Sequence, residues 1–356
     1  MVYEAGVRLP VLESRRASLQ TLPPRPEGFR TGPLVDAQGR TISYLRLSVT
    51  DRCDLACVYC MPPGGEHEHG LRKELLTFEE AARIVRVFSS MGIERVRLTG
   101  GEPLIRKDVV DLVRHVAATG AKVVMTTNAT RLEALAAPLV DAGLRGVNVS
   151  LDSLDPDTFA SMTRGGDLAQ VLRGILAADA AGLEVKINVV LVRGRTDHEA
   201  GRIVDWAWAH GFTPRFIELM PLGEGAKLGL EARVPADEVI AQLRRGLASN
   251  PEDHRANHGP ARYLKGDGGP VGFITPLSNE FCGTCNRVRV TAQGELRACL
   301  ASRRAVSLRD VLRGGGSDED IAWATQWSLT GKAEGHFFLD DHVLEHEHVG
   351  MSLIGG

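Results

Sequence analysis

Most of the chain alternates between two hydrophobic rhythms. Short apolar runs, "ISYLRLSV", "IERVRLTGG", "AKVVMTT", "LRGVNVSLD", "LEVKINVVLV" and "FTPRFIELM", have the length and β-branched content of strands. Between them, "TFEEAARIVRVFSSMG", "DVVDLVRHVAATG", "RLEALAAPLVDAG", "LAQVLRGILAADAAG" and "HEAGRIVDWAWAHG" repeat apolar residues every three or four positions and read as helices. The first of these opens with a capping box of Thr77 and Glu80 and stops at Gly92. Six strands spaced by helices long enough for right-handed crossovers predict an α/β fold, a parallel sheet curved into a partial (β/α)6 barrel. Such folds carry their chemistry at the C-terminal ends of the strands. Residues 1–40, polar and proline-bearing ("TLPPRPEGFRTGP"), are expected to be a disordered arm. The barrel is expected over 41–225, and the alternation then fades into an irregular C-terminal region, 226–356.

Composition narrows the class. The 356 residues are 43% hydrophobic and 24% charged, as in a soluble globular protein, and a net charge of -3 argues against bulk nucleic-acid binding. No apolar run approaches the roughly 20 residues of a membrane span. "MVYEAGVRLPVLESRR" mixes both charge signs and shows no secretory signal, so a cytoplasmic, reducing setting is expected.

In that setting clustered cysteines read as metal ligands. The six fall into two sets of three: Cys53, Cys57 and Cys60, then Cys282, Cys285 and Cys299. Structural zinc takes four ligands, and His67 or His69 in the first set, or His336 in the second, could complete such a site. A cubane iron-sulfur cluster can be held by three thiolates, which leaves one iron open to a small molecule.

CxxxCxxC after the first strand, with Tyr59 ahead of the last cysteine and "GGEP" (100–103) after the second strand, resembles the radical S-adenosylmethionine enzymes. The two glycines let the backbone approach a ligand, Glu102 places negative charge near an ammonium, and Pro103 stiffens the exit. The ordered set "LRLSVTDRC", "LTGGEPL", "TTN", "NVSLD", "VKINVV", "RFIELMP", "FCGTCNRVRV" and "IGG", from about Tyr44 to Gly356, is similar to the GTP 3′,8-cyclase family of molybdenum cofactor (molybdopterin) biosynthesis.

That resemblance implies a lyase with two 4Fe-4S clusters, the first on Cys53, Cys57 and Cys60 with S-adenosylmethionine at its open iron, the second on Cys282, Cys285 and Cys299 facing guanine. It implies that Tyr59, Gly101, Ser150 and Met220 contact S-adenosylmethionine, and that Arg46, Arg97, Thr126, Lys186, Arg287, Val288 and Arg289 contact GTP. It also implies that Gly355 and Gly356 thread into the active site as catalytic residues. The implied reaction abstracts hydrogen from ribose C3′ of GTP with a 5′-deoxyadenosyl radical, and C3′ then attacks guanine C8. The implied partners are GTP, an electron donor, the cyclic pyranopterin monophosphate synthase downstream, and a second copy of the chain in a homodimer.

The residue types agree with this reading. Arg46, Arg97 and Lys186 interrupt apolar strands, where a bare charge needs an anionic partner. Arg287 and Arg289, two apart on an extended chain, share a face, and guanidinium forks suit a triphosphate. The family reads "TTNG" where Ala129 stands here, so a backbone without positive φ is expected after Asn128. The histidine-rich "HVLEHEHVG" is expected to be a solvated segment. Two other readings stay open at this stage: a peptide-modifying radical enzyme with auxiliary clusters, and a zinc-stabilised binding module.

Overall fold

The computed structural model describes residues 18–63, 69–243, 247–249, 259–302, 304–336 and 351. His67, Gly355, Gly356, all of the histidine-rich segment and residues 1–17 of the expected arm lie outside them. After a two-residue edge strand, β1 (Ser18–Leu19), six strands run parallel and adjacent in chain order. They are β2 (Tyr44–Ser48), β3 (Arg95–Thr99), β4 (Lys122–Thr127), β5 (Leu144–Ser150), β6 (Glu184–Val190) and β7 (Thr213–Ile217). The crossovers are α1 (Phe78–Ser90), α2 (Val109–Ala117), α3 (Leu132–Asp141), the pair α4 (Pro156–Thr163) and α5 (Leu168–Ala180), and α6 (Ala200–Ala209). Helix α4 is absent from the sequence expectation. Its start is set by Asp155, whose side chain accepts from the Thr158 N–H, with Pro156 at the first helical position.

The helix and strand patterns do what their periodicities require. Thr77 and Glu80 form the reciprocal cap of α1, and the helix sends Ile84, Val85 and Phe88 into the core. On β6, Val185, Ile187 and Val189 are buried against helices, while Lys186 and Asn188 face inward to a cavity.

The region after residue 225 adds to both edges of the same sheet. It contains α7 (Glu224–Lys227), α8 (Ala236–Leu243), β8 (Ala248–Ser249), β9 (Arg262–Gly266), β10 (Gly269–Ile274), β11 (Arg287–Val290), β12 (Glu295–Arg297), β13 (Arg304–Ser307), α9 (Leu308–Arg313) and α10 (Asp318–Thr330). The order across the sheet is β1-β13-β12-β11-β2-β3-β4-β5-β6-β7-β10-β9-β8. Strands β11 and β10 stand seven spacings apart, about 34 Å if the sheet were flat. Residues of both nevertheless line one cavity, so the sheet curls around it.

One expectation is corrected here. From Ser18 onward the arm is docked rather than disordered. β1 pairs with β13, the Trp323 indole N–H donates to Pro23 O (2.9 Å), and Phe29 packs edge-on against Trp323 at 5.5 Å. Leu34 is fully buried. The few apolar residues between the prolines carry enough burial to hold this stretch against α10. No helix among the described residues is long and apolar enough to cross a membrane.

Candidate active site

The loop after β2 carries Cys53, Cys57 and Cys60, all free thiols. The end of α4 holds it in place. Ala56 N–H donates to Thr163 O (3.1 Å), Val58 N–H to Met162 O (2.9 Å), and Arg164 donates to the carbonyls of Ala56 and Met61. Tyr59 adds a tether by donating its hydroxyl to Asp152 (2.6 Å), whose other oxygen accepts the Val190 N–H. Burial pushes the Asp152 carboxyl up to about 6. Burial also pushes the Cys53 thiol up to about 12, with the negative charges of Glu102, Cys60 and Asp54 adding to it. Cys57 rises for the same first reason, then through Asp152 and its two sister thiols.

The "GGEP" loop presses onto this cysteine loop. Gly101 N–H donates to Thr50 O (2.9 Å) and Glu102 N–H to Arg52 O (2.7 Å). A Cβ on Gly100 would lie 2.2 Å from Thr50 O, and one on Gly101 2.1 Å from Arg52 O, so the glycines are needed for backbone-to-backbone contact. Glu102 is buried, and its carboxylate accepts from Leu104 N–H, Thr127 Oγ1 and Asn128 N–H, which joins the ends of β3 and β4. Its expected role toward an ammonium therefore shares the carboxylate with a structural one. Ala129 has φ 66°, contrary to expectation. Its N–H donates to Thr127 Oγ1 and the Asn128 side chain accepts from Thr130 N–H, bonds that offset the roughly 1–2 kcal/mol cost of the left-handed conformation.

Inside the curl lies a cavity of about 180 Å³. Its face carries two cross-strand rows. Arg287, Tyr44 and Arg95 are in register on β11, β2 and β3; Arg289, Arg46 and Arg97 form the next row, which Arg297 extends onto β12. Burial and then the charges of Arg289 and Arg97 depress Arg46 well below the usual arginine range, and burial with the neighbouring Arg287 brings Arg289 down to about 10. Arg97 donates to Tyr44 Oη, Met125 O and Thr126 Oγ1. Lys186 lines the same cavity, but Glu184 already pairs with it at 2.7 Å. Met220 lines it too, and its carbonyl and that of Tyr59 both pack on Gly225, so Met220 stands between cavity and first triplet. Val288 does not share this face. Strand alternation turns its side chain into the core, where it is fully buried, and a side-chain contact with substrate is excluded. Gly101 and Ser150 are also outside the lining, at the strand ends near the first triplet.

Cys282, Cys285 and Cys299 form part of the cavity wall. Burial alone would raise the Cys285 thiol; Arg287 and Lys332 overcome that and bring it down to about 7. Cys282, beside its sister thiols and Glu280, is pushed up to about 11, mainly by burial.

The donor sets discriminate between ions. Structural zinc takes four ligands, whereas each set supplies three thiols, and Cys53, Cys57 and Cys282 feel the charge of their sisters. Three thiolates suffice to hold a cubane. Glu280, Cys282 and His336 do gather within 4.8 Å, but His336 Nε2 also contacts Pro276 O. The Arg297 guanidinium, 1% exposed and near Cys299, has no hydrogen-bond partner among the described residues. Glu295 is its first anionic neighbour and Cys299 its second, and further negative charge on the second triplet would suit this buried cation.

The Radical SAM superfamily model matches residues 47–207 and the Molybdenum Cofactor Synthesis C model residues 212–338. The GTP 3′,8-cyclase of Erythrobacter litoralis is 46% identical over 312 residues, 86% of this chain and 93% of that one. That of Rhizobium meliloti is 41% identical over 350 residues, 96% and 99% of the two chains. The chain belongs to the GTP 3′,8-cyclase family. Among solved structures, Streptococcus suis SuiB bound to precursor peptide SuiA shares the fold, with a TM-score of 0.53 and 14% identity over 73% of this chain and 60% of that one.

Several residues of this GTP 3′,8-cyclase family member went unread in the sequence. Asp152 sits in the quoted "NVSLD" yet only its bond to Tyr59 singles it out. Asn188 and Arg215, joined through Arg215 Nη2 and Asn188 Oδ1, line the cavity from β6 and β7. A charged residue inside an apolar strand was the available signal for Arg215, the same one that marked Arg46.

Proposed function

We propose that the chain cyclises GTP to (8S)-3′,8-cyclo-7,8-dihydroguanosine 5′-triphosphate, acting as a radical S-adenosylmethionine lyase in molybdenum cofactor biosynthesis. The observation that carries this reading is one three-thiol set at the strand ends and another in the wall of a cavity faced by in-register arginines.

Cys53, Cys57 and Cys60 would hold the first 4Fe-4S cluster, and Cys282, Cys285 and Cys299 the second. When bound, the first cluster and S-adenosylmethionine would supply one-electron radical chemistry toward ribose C3′ of GTP. Gly101, Ser150, Tyr59 and Met220 bind and orient S-adenosylmethionine at the mouth of the barrel. Arg46, Arg97, Arg287 and Arg289 neutralise the triphosphate, with Lys186 and the Thr126 hydroxyl completing the contacts. Val288 contributes through its backbone alone. These residues fix C3′ and guanine C8 within reach of each other and exclude water.

Gly355 and Gly356 enter the same cavity. Met351 lines it, and five further residues can extend about 17 Å. The electron donor, a homodimeric state, a cytoplasmic setting and delivery of product to the cyclic pyranopterin monophosphate synthase belong to the same proposal.

The test is anaerobic reconstitution followed by iron and sulfide analysis, then turnover with GTP, S-adenosylmethionine and dithionite. About 8 irons per chain and a cyclised nucleotide are expected. About 4 irons, or 5′-deoxyadenosine formed with no cyclised nucleotide, would overturn the reading.

A further inference from the structure

The segment leaving α10, residues 331–336, turns back to the second triplet and delivers one buried cation to it. Lys332 is 3% exposed. Its ammonium donates to the carbonyl oxygens of Arg287 (2.8 Å) and Ala298 (2.6 Å) and lies 3.7 Å from Cys285 Sγ. Arg287 follows Cys285 by two residues, and Ala298 immediately precedes Cys299. An ammonium has three donors, and all three of its described contacts fall within two residues of a cysteine of this triplet.

The segment is fastened independently to the third cysteine. Arg40, paired with Asp36 at 2.6 Å, donates to Cys282 O (2.7 Å) and to Ala333 O (2.8 Å). Burial lowers the Lys332 ammonium from its ordinary range, Cys285 and Cys299 oppose that as its anionic neighbours, and Arg40 and Arg287 add to it. Arg297, whose guanidinium has no hydrogen-bond partner among the described residues, feels the charge of Glu295 and then that of Cys299. The first triplet has the opposite surroundings, with Glu102, Asp54 and Asp152 as its charged neighbours. Burying an ammonium is costly unless it meets an anion, and adding an electron to a cluster makes that anion stronger.

We propose that Lys332 is a positioning residue of the second triplet: its ammonium holds the strand leaving Cys285 against the segment entering Cys299 and supplies buried positive charge that favours the reduced state of the cluster they carry. This rests on the reading of that triplet as a cluster site.

The experiment uses the full-length chain with Cys53, Cys57 and Cys60 changed to Ala, so that the second site alone holds iron. Lys332 is compared with Lys332→Gln, Lys332→Met and Lys332→Arg by iron and sulfide content, circular dichroism, and potentiometric titration read by electron paramagnetic resonance. Gln and Met should lower the reduced-to-oxidised ratio at a fixed potential at least tenfold, about 59 mV for a one-electron couple. Arg, which keeps the charge, should restore most of that ratio while altering the line shape, because its planar fork cannot reproduce the three contacts. Should Met fail to fold, Gln, one carbon shorter than Lys, retains two N–H donors and still removes the charge. A folded, iron-loaded Gln variant with unchanged potential and spectrum would overturn the role of Lys332. An iron-free parent would overturn the cluster reading itself, and the proposal with it.

Discussion

Arg289 and Arg46 stand opposite each other on neighbouring parallel strands, both facing the cavity. Arg97 continues the row on one side and Arg297 on the other. Like charges placed directly across a sheet destabilise it, and burial removes the water that would screen them. The arrangement makes sense as a site prepared for a polyanion, at a cost to the ligand-free fold.

Arg46→Met should therefore raise the melting temperature of the ligand-free chain, since exchanging partly buried, mutually repelling charge for an unbranched apolar side chain is neutral or stabilising by about 1–4 kcal/mol. The same change should weaken GTP binding about tenfold or more, one charge-assisted hydrogen bond contributing about 1.5–3 kcal/mol, and guanosine binding much less. Calorimetry and thermal unfolding test both halves. A lower melting temperature with unaltered GTP affinity would make Arg46 a structural residue.

Gly101→Ala places a methyl group 2.1 Å from the Arg52 carbonyl oxygen, where only backbone can yield. The 100–103 loop should be driven off the Cys53 loop, an overpacking cost of about 1–3 kcal/mol. S-adenosylmethionine cleavage should be lost, and about 4 irons per chain should remain on the second triplet. Full 5′-deoxyadenosine formation by this variant would contradict the contact that the fold displays.

Burial raises the Glu102 carboxyl from its ordinary 4.5 to about 7, against the pull of its three hydrogen bonds. Between those values the folded chain binds more protons than the unfolded one, so the contribution of Glu102 to stability is full below pH 4.5 and fades as pH rises through about 7. Denaturant midpoints of the iron-free chain should show this decline, and Glu102→Gln should flatten it. Identical pH slopes for the two chains would mean that the carboxylate does not titrate in this window.

A chain ending at Ile354 should bind GTP and hold iron like the full-length protein yet form no cyclised product, because nothing in the described core depends on Gly355 and Gly356. Product analysis alongside iron content and GTP affinity decides it. An undiminished rate would place the two glycines outside the chemistry.

Much of the site was legible because its signals are local. Three thiols within eight residues, two glycines ahead of Glu102 and Pro103, and the Thr77–Glu80 cap are set by covalent spacing and by the helix and strand periods, which the sequence alone determines. The same periods divide Arg287 and Arg289 from Val288, whose inclusion as a contact came from the motif rather than from strand parity. What the tertiary structure decided is which distant faces meet. Lys332 reaches Cys285 across 47 residues, Tyr59 reaches Asp152 across 93, and Trp323 captures Pro23 across 300. The row from Arg297 to Arg97 exists only because β11 and β12 return to lie beside β2. Strand order and register are chosen by burial summed over the whole sheet, so no short window of sequence contains them.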